Sequence, residues 1–195
     1  MEIRKRGVLV MSAPALGAFL LGAVLLGGIV PNTTDKLGEE MMEATGYVTV
    51  SVIRDGNEIY HYEDHNLITD AGRDFILQQI GGTADTATAQ FIGLSSDTNA
   101  PAADDTELAG EIDTGGLARS QGTFEQGTGD DADSFIITAT FMSSGNHTNV
   151  QKAGLFTASS GGTMVAENEF SSVNLANGDQ LTITWRVDLG LTPAP

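Results

Sequence analysis

Tyr47-Val48-Thr49-Val50-Ser51-Val52-Ile53-Arg54-Asp55-Gly56-Asn57-Glu58-Ile59-Tyr60-His61-Tyr62-Glu63-Asp64-His65 is the stretch that decides the fold. Val48, Val50 and Val52 alternate with Tyr47, Thr49, Ser51 and Ile53. A period of two sets the valines on one face of a strand, and their branched side chains suit that conformation. Arg54-Asp55-Gly56-Asn57 then breaks the pattern with residues that accept the backbone of a tight hairpin turn. Glu58 to His65 returns as a second strand, so the clearest local signal is an antiparallel hairpin.

Downstream, Asn66-Leu67-Ile68-Thr69-Asp70 leads into a helix predicted near residues 70–80. Thr69 or Asp70 can cap it, because a side-chain oxygen accepts from the free amides of the first turn. Ala71, Phe75, Ile76 and Ile80 supply an apolar face, and Gly81-Gly82 ends the helix. Further strands are predicted at Phe91–Ser95, Leu117–Gln126, Ser134–Ser143, Val150–Thr157, Met164–Phe170 and Gln180–Leu189. The fourth and fifth of these pair across Ala158–Gly162. The last puts Leu181, Ile183, Trp185, Val187 and Leu189 on one face, and the sole tryptophan reads as core rather than as a ligand platform. Roughly eight strands at this spacing imply a mainly β chain, an antiparallel β-sandwich with one short helix over residues 46–195.

Upstream, residues 31–45 form a polar connector in which Leu37, Met41 and Met42 make an amphipathic turn or a helical stalk. Val8 to Val30 carries no charge over 23 residues, enough to span a bilayer as a single N-terminal hydrophobic helix. Arg4-Lys5-Arg6 precedes it and Asp35, Glu39, Glu40 and Glu43 follow, which leaves the bulk of the chain outside. A retained anchor fits this length. A cleaved signal peptide has a shorter apolar core, although Ala13-Pro14-Ala15 has the form of a cleavage site. A prepilin-type signal cut at Gly7 would free residues 8–30 to pack in a filament core. In Lys5-Arg6-Gly7, the apolar helix, Asn32-Thr33, Leu37 and Thr45-Gly46, the segment resembles archaeal pilins and archaellins.

The net charge is −17, and beyond residue 31 six basic and 25 acidic residues leave −19. Such a surface repels phosphate backbones, so no nucleic-acid partner is expected. Only Lys5, Lys36 and Lys152 are lysines, a balance that suits either high salt or an ordinary acidic exterior. The chain has no cysteine, which removes disulfides, thiolate chemistry and cysteine-based zinc sites.

Little in the sequence points to catalysis. His61 and His65 share a strand face but lie roughly 13 Å apart, too far for one metal, and His147 sits in a turn. Asp97, Asn99, Asp104 and Asp105 form one acidic cluster, and Asp130, Asp131 and Asp133 another. Neither has the ligand order of a calcium loop. Glu107 and Glu111 are paired carboxylates without aromatics to seat a sugar. No nucleophile elbow or phosphate loop occurs, so no catalytic, cofactor or metal residue is assigned. Asn32 and Asn146 head glycosylation sequons.

The order of pieces from Asn66 onward is similar to a module of phage and archaeal-virus virion proteins of the tail-fibre type. The matching pieces are Asn66-Leu67-Ile68-Thr69-Asp70-Ala71-Gly72, Phe91-Ile92-Gly93-Leu94-Ser95-Ser96, Asp105-Thr106-Glu107-Leu108-Ala109-Gly110-Glu111, Ala153-Gly154-Leu155-Phe156, Gly161-Gly162-Thr163-Met164, Gly178-Asp179 and the Trp185 strand. Many such modules carry Glu before the Ala-Gly-Leu-Phe piece, where this chain has Lys152. The resemblance implies a packed β domain used in assembly or host contact. The expected function is a non-enzymatic structural subunit of an extracellular assembly, a membrane-anchored virion surface protein of a prokaryotic virus. The alternative is a pilin-like subunit of an archaeal cell-surface filament. Its expected partners are copies of itself, as a homo-oligomer, or other surface proteins.

Overall fold

The decisive hairpin forms as β1 (Glu40–Arg54) and β2 (Asn57–His65). Asp55 and Gly56 both adopt left-handed backbone, φ 50° and 79°, as a primed two-residue turn demands. The computed structural model describes residues 40–82, 87–129 and 132–193, all within one compact unit, Leu37–Pro195. Val8–Val30, Gly7 and Asn32 lie outside the described residues.

β1 begins before the alternating pattern does. It runs antiparallel to β10 (Gln180–Pro193) from Glu40↔Pro193 to Ile53↔Gln180. Met41 and Met42 therefore lie in a strand opposite Thr192 and Leu191, not in a helical stalk. The partner that fixes them is at the far end of the chain, where no local pattern reveals it. β7 (Ser134–Met142) lies beside β10, and β6 (Thr123–Gln126) closes a first antiparallel sheet in the order β2-β1-β10-β7-β6.

The second sheet is β3-β9-β8-β4-β5, made of β3 (Leu67–Ile68), β9 (Met164–Leu175), β8 (His147–Phe156), β4 (Phe91–Ser95) and β5 (Ser120–Gln121). The single strand expected over Leu117–Gln126 is two short ones. β5 pairs with β4 and β6 pairs with β7, so the chain passes from one sheet to the other at Gly122. The amide of Gly122 donates to Gln90 O at 2.7 Å, and a Cβ there would stand 2.5 Å from Ile137 Cγ2.

The two sheets close on one apolar core. Val48, Val50, Val52, Leu181, Ile183 and Trp185 from the first sheet are each 0% exposed. Ile92, Leu94, Val150, Ala153 and Leu155 from the second join the same cluster. Trp185 faces Val48 on one side and Ile137 on the other. Its indole N–H donates to Asn66 Oδ1 at 3.3 Å, once the amide is oriented so that its nitrogen donates to Gly46 O. Core packing, with a partner for the one polar atom, accounts for this residue.

The helix α1 (Asp70–Gly81) is capped at Thr69, whose Oγ1 accepts from the Gly72 amide at 2.9 Å, and Gly82 closes it in left-handed backbone. Its docking differs from the apolar face predicted. Of the predicted face Ala71, Phe75 and Ile76 are half-buried and Ile80 is 69% exposed, and only Gly72 is fully buried. The helix is held at its first turn, where a Cβ on Gly72 would meet Val165 O at 2.0 Å and the Thr69 hydroxyl donates to Met164 O. That close backbone approach, rather than an apolar stripe, sets its position.

Candidate functional site

The outer face of the second sheet is not open to solvent. Part of the long connection between β4 and β5, residues 96–119, covers it through Asp97, Leu108 and Glu111, while Leu117 turns into the main core. The sheet makes room by lacking side chains there. Gly93 pairs with Gly154 across β4 and β8. A Cβ on Gly93 would stand 2.6 Å from Glu111 Oε1, and one on Gly154 would stand 2.8 Å from the Phe156 ring. Leu108 from the connection packs with Phe156 and Met164 in a small second cluster.

Two ion-paired groups fasten this layer. Glu111 receives both arms of Arg119, at 2.7 and 2.6 Å, a fork-to-fork geometry that fixes both side chains. The guanidinium also donates to Ala158 O and Gly161 O and lies 3.4 Å from the Phe156 ring centroid. Glu111 is therefore a structural partner of Arg119. Glu107 is exposed, and the two carboxylates do not form an acid–base pair.

The second group is buried. Lys152 Nζ donates to Asp97 Oδ2 at 3.0 Å and lies 3.3 Å from Glu167 Oε1. The Lys152 and Glu167 side chains are each 2% exposed, and Asp97 is 19% exposed. Burial holds the Lys152 ammonium down, but the hydrogen bond to Asp97 and the charge of Glu167 outweigh it and leave its pKa raised. Asp97 is held below the usual carboxylate range by Lys152, helped by the amides of Asn99 and Thr98. Glu167 is pushed up, first by burial and then by neighbouring Asp105, against the pull of Lys152. Its Oε2 is buried with no hydrogen-bond partner. A lysine ammonium thus stands within reach of two carboxyl groups where water has little access.

The acidic cluster at Asp97, Asn99, Asp104 and Asp105 serves this loop. Asn99 N and Nδ2 donate to Asp97, and Ala102 N donates to Asp105 Oδ2 at 2.8 Å. Asp130 and Asp131 lie outside the described residues, and Asp133 is exposed. Among the described residues no group of three His, Asp or Glu side chains is placed to hold a metal ion. His61 pairs with Glu58 at 3.1 Å, His65 packs on the Tyr47 ring at 4.1 Å, and His147 lies 3.2 Å from Gly115 O. Asn146 is exposed between β7 and β8, open to modification.

The edges of the sandwich differ sharply. Beyond its short pairing with β3, β9 offers free carbonyls, and β2 reaches over to cover them. The Tyr62 hydroxyl donates to Glu169 O at 2.9 Å, the Tyr60 hydroxyl donates to Ser171 O, and Asn168 Nδ2 donates to His65 O. Burial pushes the Tyr60 phenol up to about 12, which keeps its donor proton in place. Two carbonyls of β9 are thereby occupied, while β2 is itself the outer strand of the first sheet. On the opposite side all four residues of β6 are exposed, and Phe124, 52% exposed, stacks on Phe135 at 5.9 Å. Beside it Phe75, Ala87, Ala89, Phe135 and Ile137 line an apolar groove of about 400 Å³.

Lys152 was visible in the sequence only as a departure from a pattern, and Glu167 not at all. It is one of two glutamates in the strand Met164–Phe170, and nothing local sets it apart without the lysine in a neighbouring strand. Among the described residues no helix is long and apolar enough to cross a membrane. Comparison with protein-family models, curated proteins and solved structures finds no match for this chain.

Proposed function

We propose that the chain is a non-enzymatic structural subunit of an extracellular assembly, a virion surface protein of a prokaryotic virus tethered by residues 8–30. The observation that carries this reading is the exposed aromatic edge at β6. Both β2 and β6 are edge strands of the first sheet, and β6 alone sets an exposed Phe124 beside an apolar groove. A bare edge with an adjoining apolar cleft is the geometry of strand addition between subunits. The uncharged stretch Val8–Val30, behind three basic residues, supports attachment to a membrane. The buried charges hold the 96–119 layer together, which fits a building block.

The test is purification of the full chain from membranes, with its mass in detergent measured by light scattering and its amino terminus by mass spectrometry. The expected result is an oligomer that retains Met1 and that Phe124→Asp dissociates. Lys5-Arg6-Gly7 favours one other reading, a pilin-like filament subunit, and a mature start at Val8 in isolated filaments would select it. A freely dissolved monomer that turns over a substrate overturns both.

A further inference from the structure

We propose that the Lys152–Asp97–Glu167 cluster is an amide-forming site, in which the lysine side chain condenses with the Asp97 carboxyl group to cross-link β8 to the loop after β4. The inference stands apart from the assembly role and does not depend on it.

Three features of the geometry carry it. The nucleophile and the acceptor are already in contact, Nζ being 3.0 Å from Oδ2 of Asp97. Reacting groups held at that distance need no further encounter, which removes much of the entropic barrier to condensation. The acceptor carboxyl is fixed by its surroundings. Asn99 N and Nδ2 donate to its two oxygens at 3.0 and 3.1 Å, where negative charge grows when a nitrogen adds to the carbon. The third group, Glu167, has Oε1 3.3 Å from Nζ and an orphan Oε2, both inside the protein. Protonation of Glu167 would turn the orphan atom into a donor, and burial beside Asp105 favours that form.

The step balances without an oxidant or a co-reactant. A proton must first move within the ion pair, against the direction in which Lys152 and Asp97 hold each other, to give a neutral amine and a neutral carboxylic acid. The Nζ lone pair forms a bond to Cγ of Asp97 while the carbonyl π pair moves onto oxygen. Protonated Glu167 gives its proton to the departing hydroxyl and takes one from the nitrogen in its place. The Cγ–O bond breaks, one water leaves, and an amide remains with Glu167 as it began. Removal of water from a closed site also hinders the reverse reaction. In a chain without cysteine such a bond would do what a disulfide does elsewhere, closing a loop from residue 97 to residue 152.

Tryptic mapping of the folded, then denatured, full chain tests this directly. Trypsin cuts after Arg73, Arg119, Lys152 and Arg186, but not after an acylated lysine. The expected product is residues 74–119 joined to residues 120–186, lighter by one water than the two peptides together, with fragment ions that place the branch at Asp97. Lys152→Arg and Asp97→Ala abolish it. Glu167→Gln slows its appearance after refolding by about 100-fold or more, the range for loss of a positioned proton carrier. Complete cleavage after Lys152 in the wild-type chain overturns the proposal, whatever the variants do. So does a branch at Glu167 or any other carboxyl.

Discussion

The interior between the two sheets and the layer beneath residues 96–119 are both buried, yet they are held in opposite ways. Between the sheets the contacts are apolar and non-directional. Val48, Trp185 and Ile137 meet in adjacent strands, and exclusion of water is enough to hold them. Under the connection the contacts are directional. Lys152 must find Asp97 and Glu167, Arg119 must find Glu111, and Gly93 must leave a gap. An apolar core accepts many side chains of the right volume, whereas a buried charge accepts only the arrangement that neutralises it. The first region supplies stability, and the second selects one path for a long loop.

Substitutions in the two regions should separate these roles. Among the non-covalent contacts the largest effect is expected at Trp185→Ala, a loss of about 3–5 kcal/mol in denaturant unfolding with the loop pairs intact in the residual folded fraction. Lys152→Met should cost a similar amount, about 3–5 kcal/mol, because it strands Glu167 and Asp97 without their cation. If the amide is formed, the loss exceeds that range. The distinguishing result is Lys152→Met combined with Glu167→Leu. Replacing the buried pair by apolar groups of like volume should recover most of the stability while leaving residues 96–119 open to proteolysis. Full protection of that segment in the double variant would erase the distinction between the two regions.

The inner region was legible in the sequence because its rule is local. Alternation at Val48, Val50 and Val52, and again at Leu181, Ile183 and Trp185, announces a buried face within a few residues, and each of these side chains is fully enclosed. The hairpin turn and the Thr69 cap were legible for the same reason. The outer layer was not, since its rule joins distant positions. Gly93 and Gly154 fell inside predicted strands, but their use as a gap depends on Glu111 and Phe156 lying above them. Leu117–Gln126 read as one strand because nothing in those residues says that the chain changes sheets at Gly122. Ile80 promised an apolar contact that the helix never makes, because Gly72 had already fixed its docking.

A smaller effect sharpens the point about the gap. Gly93→Ala places a methyl group 2.6 Å from Glu111 Oε1, whose carboxylate is locked by Arg119. The outer layer must shift, at about 1–3 kcal/mol. Adding Glu111→Ala should recover part of this loss if the clash is its cause. A loss left unchanged in the double variant, read by thermal unfolding, would place the strain in the strand itself.

The smallest effect is one of pH, and its sign follows from which groups are shifted and in which direction. Asp97 and Asp179 are depressed by Lys152 and Arg54 respectively, so their contribution is full above the unfolded value of 3.8 and disappears only as pH falls through their lower folded values. Glu167 runs the other way. Its folded value lies above 4.5 because burial and Asp105 outweigh Lys152, so the folded state binds the extra proton. Stability from this group is complete below 4.5 and falls as pH rises through the raised folded value. Glu167→Gln keeps the shape and cannot ionise. Its stability relative to wild type should therefore climb from pH 4.5 upward and level off once Glu167 is ionised in the folded protein. Titrating groups that do not touch Glu167 cancel in the difference; of those that do, the Lys152 ammonium stays charged over this range, which leaves the coupling to Asp105 as part of the signal. Acylation of Lys152 would remove the opposing cation and push the plateau to higher pH, so Lys152→Arg, which retains the cation, should bring it down. A difference that is flat from pH 4.5 to 7, or that falls, would mean Glu167 keeps its charge in the interior, and with it the assignment of this carboxyl as a proton carrier would fail.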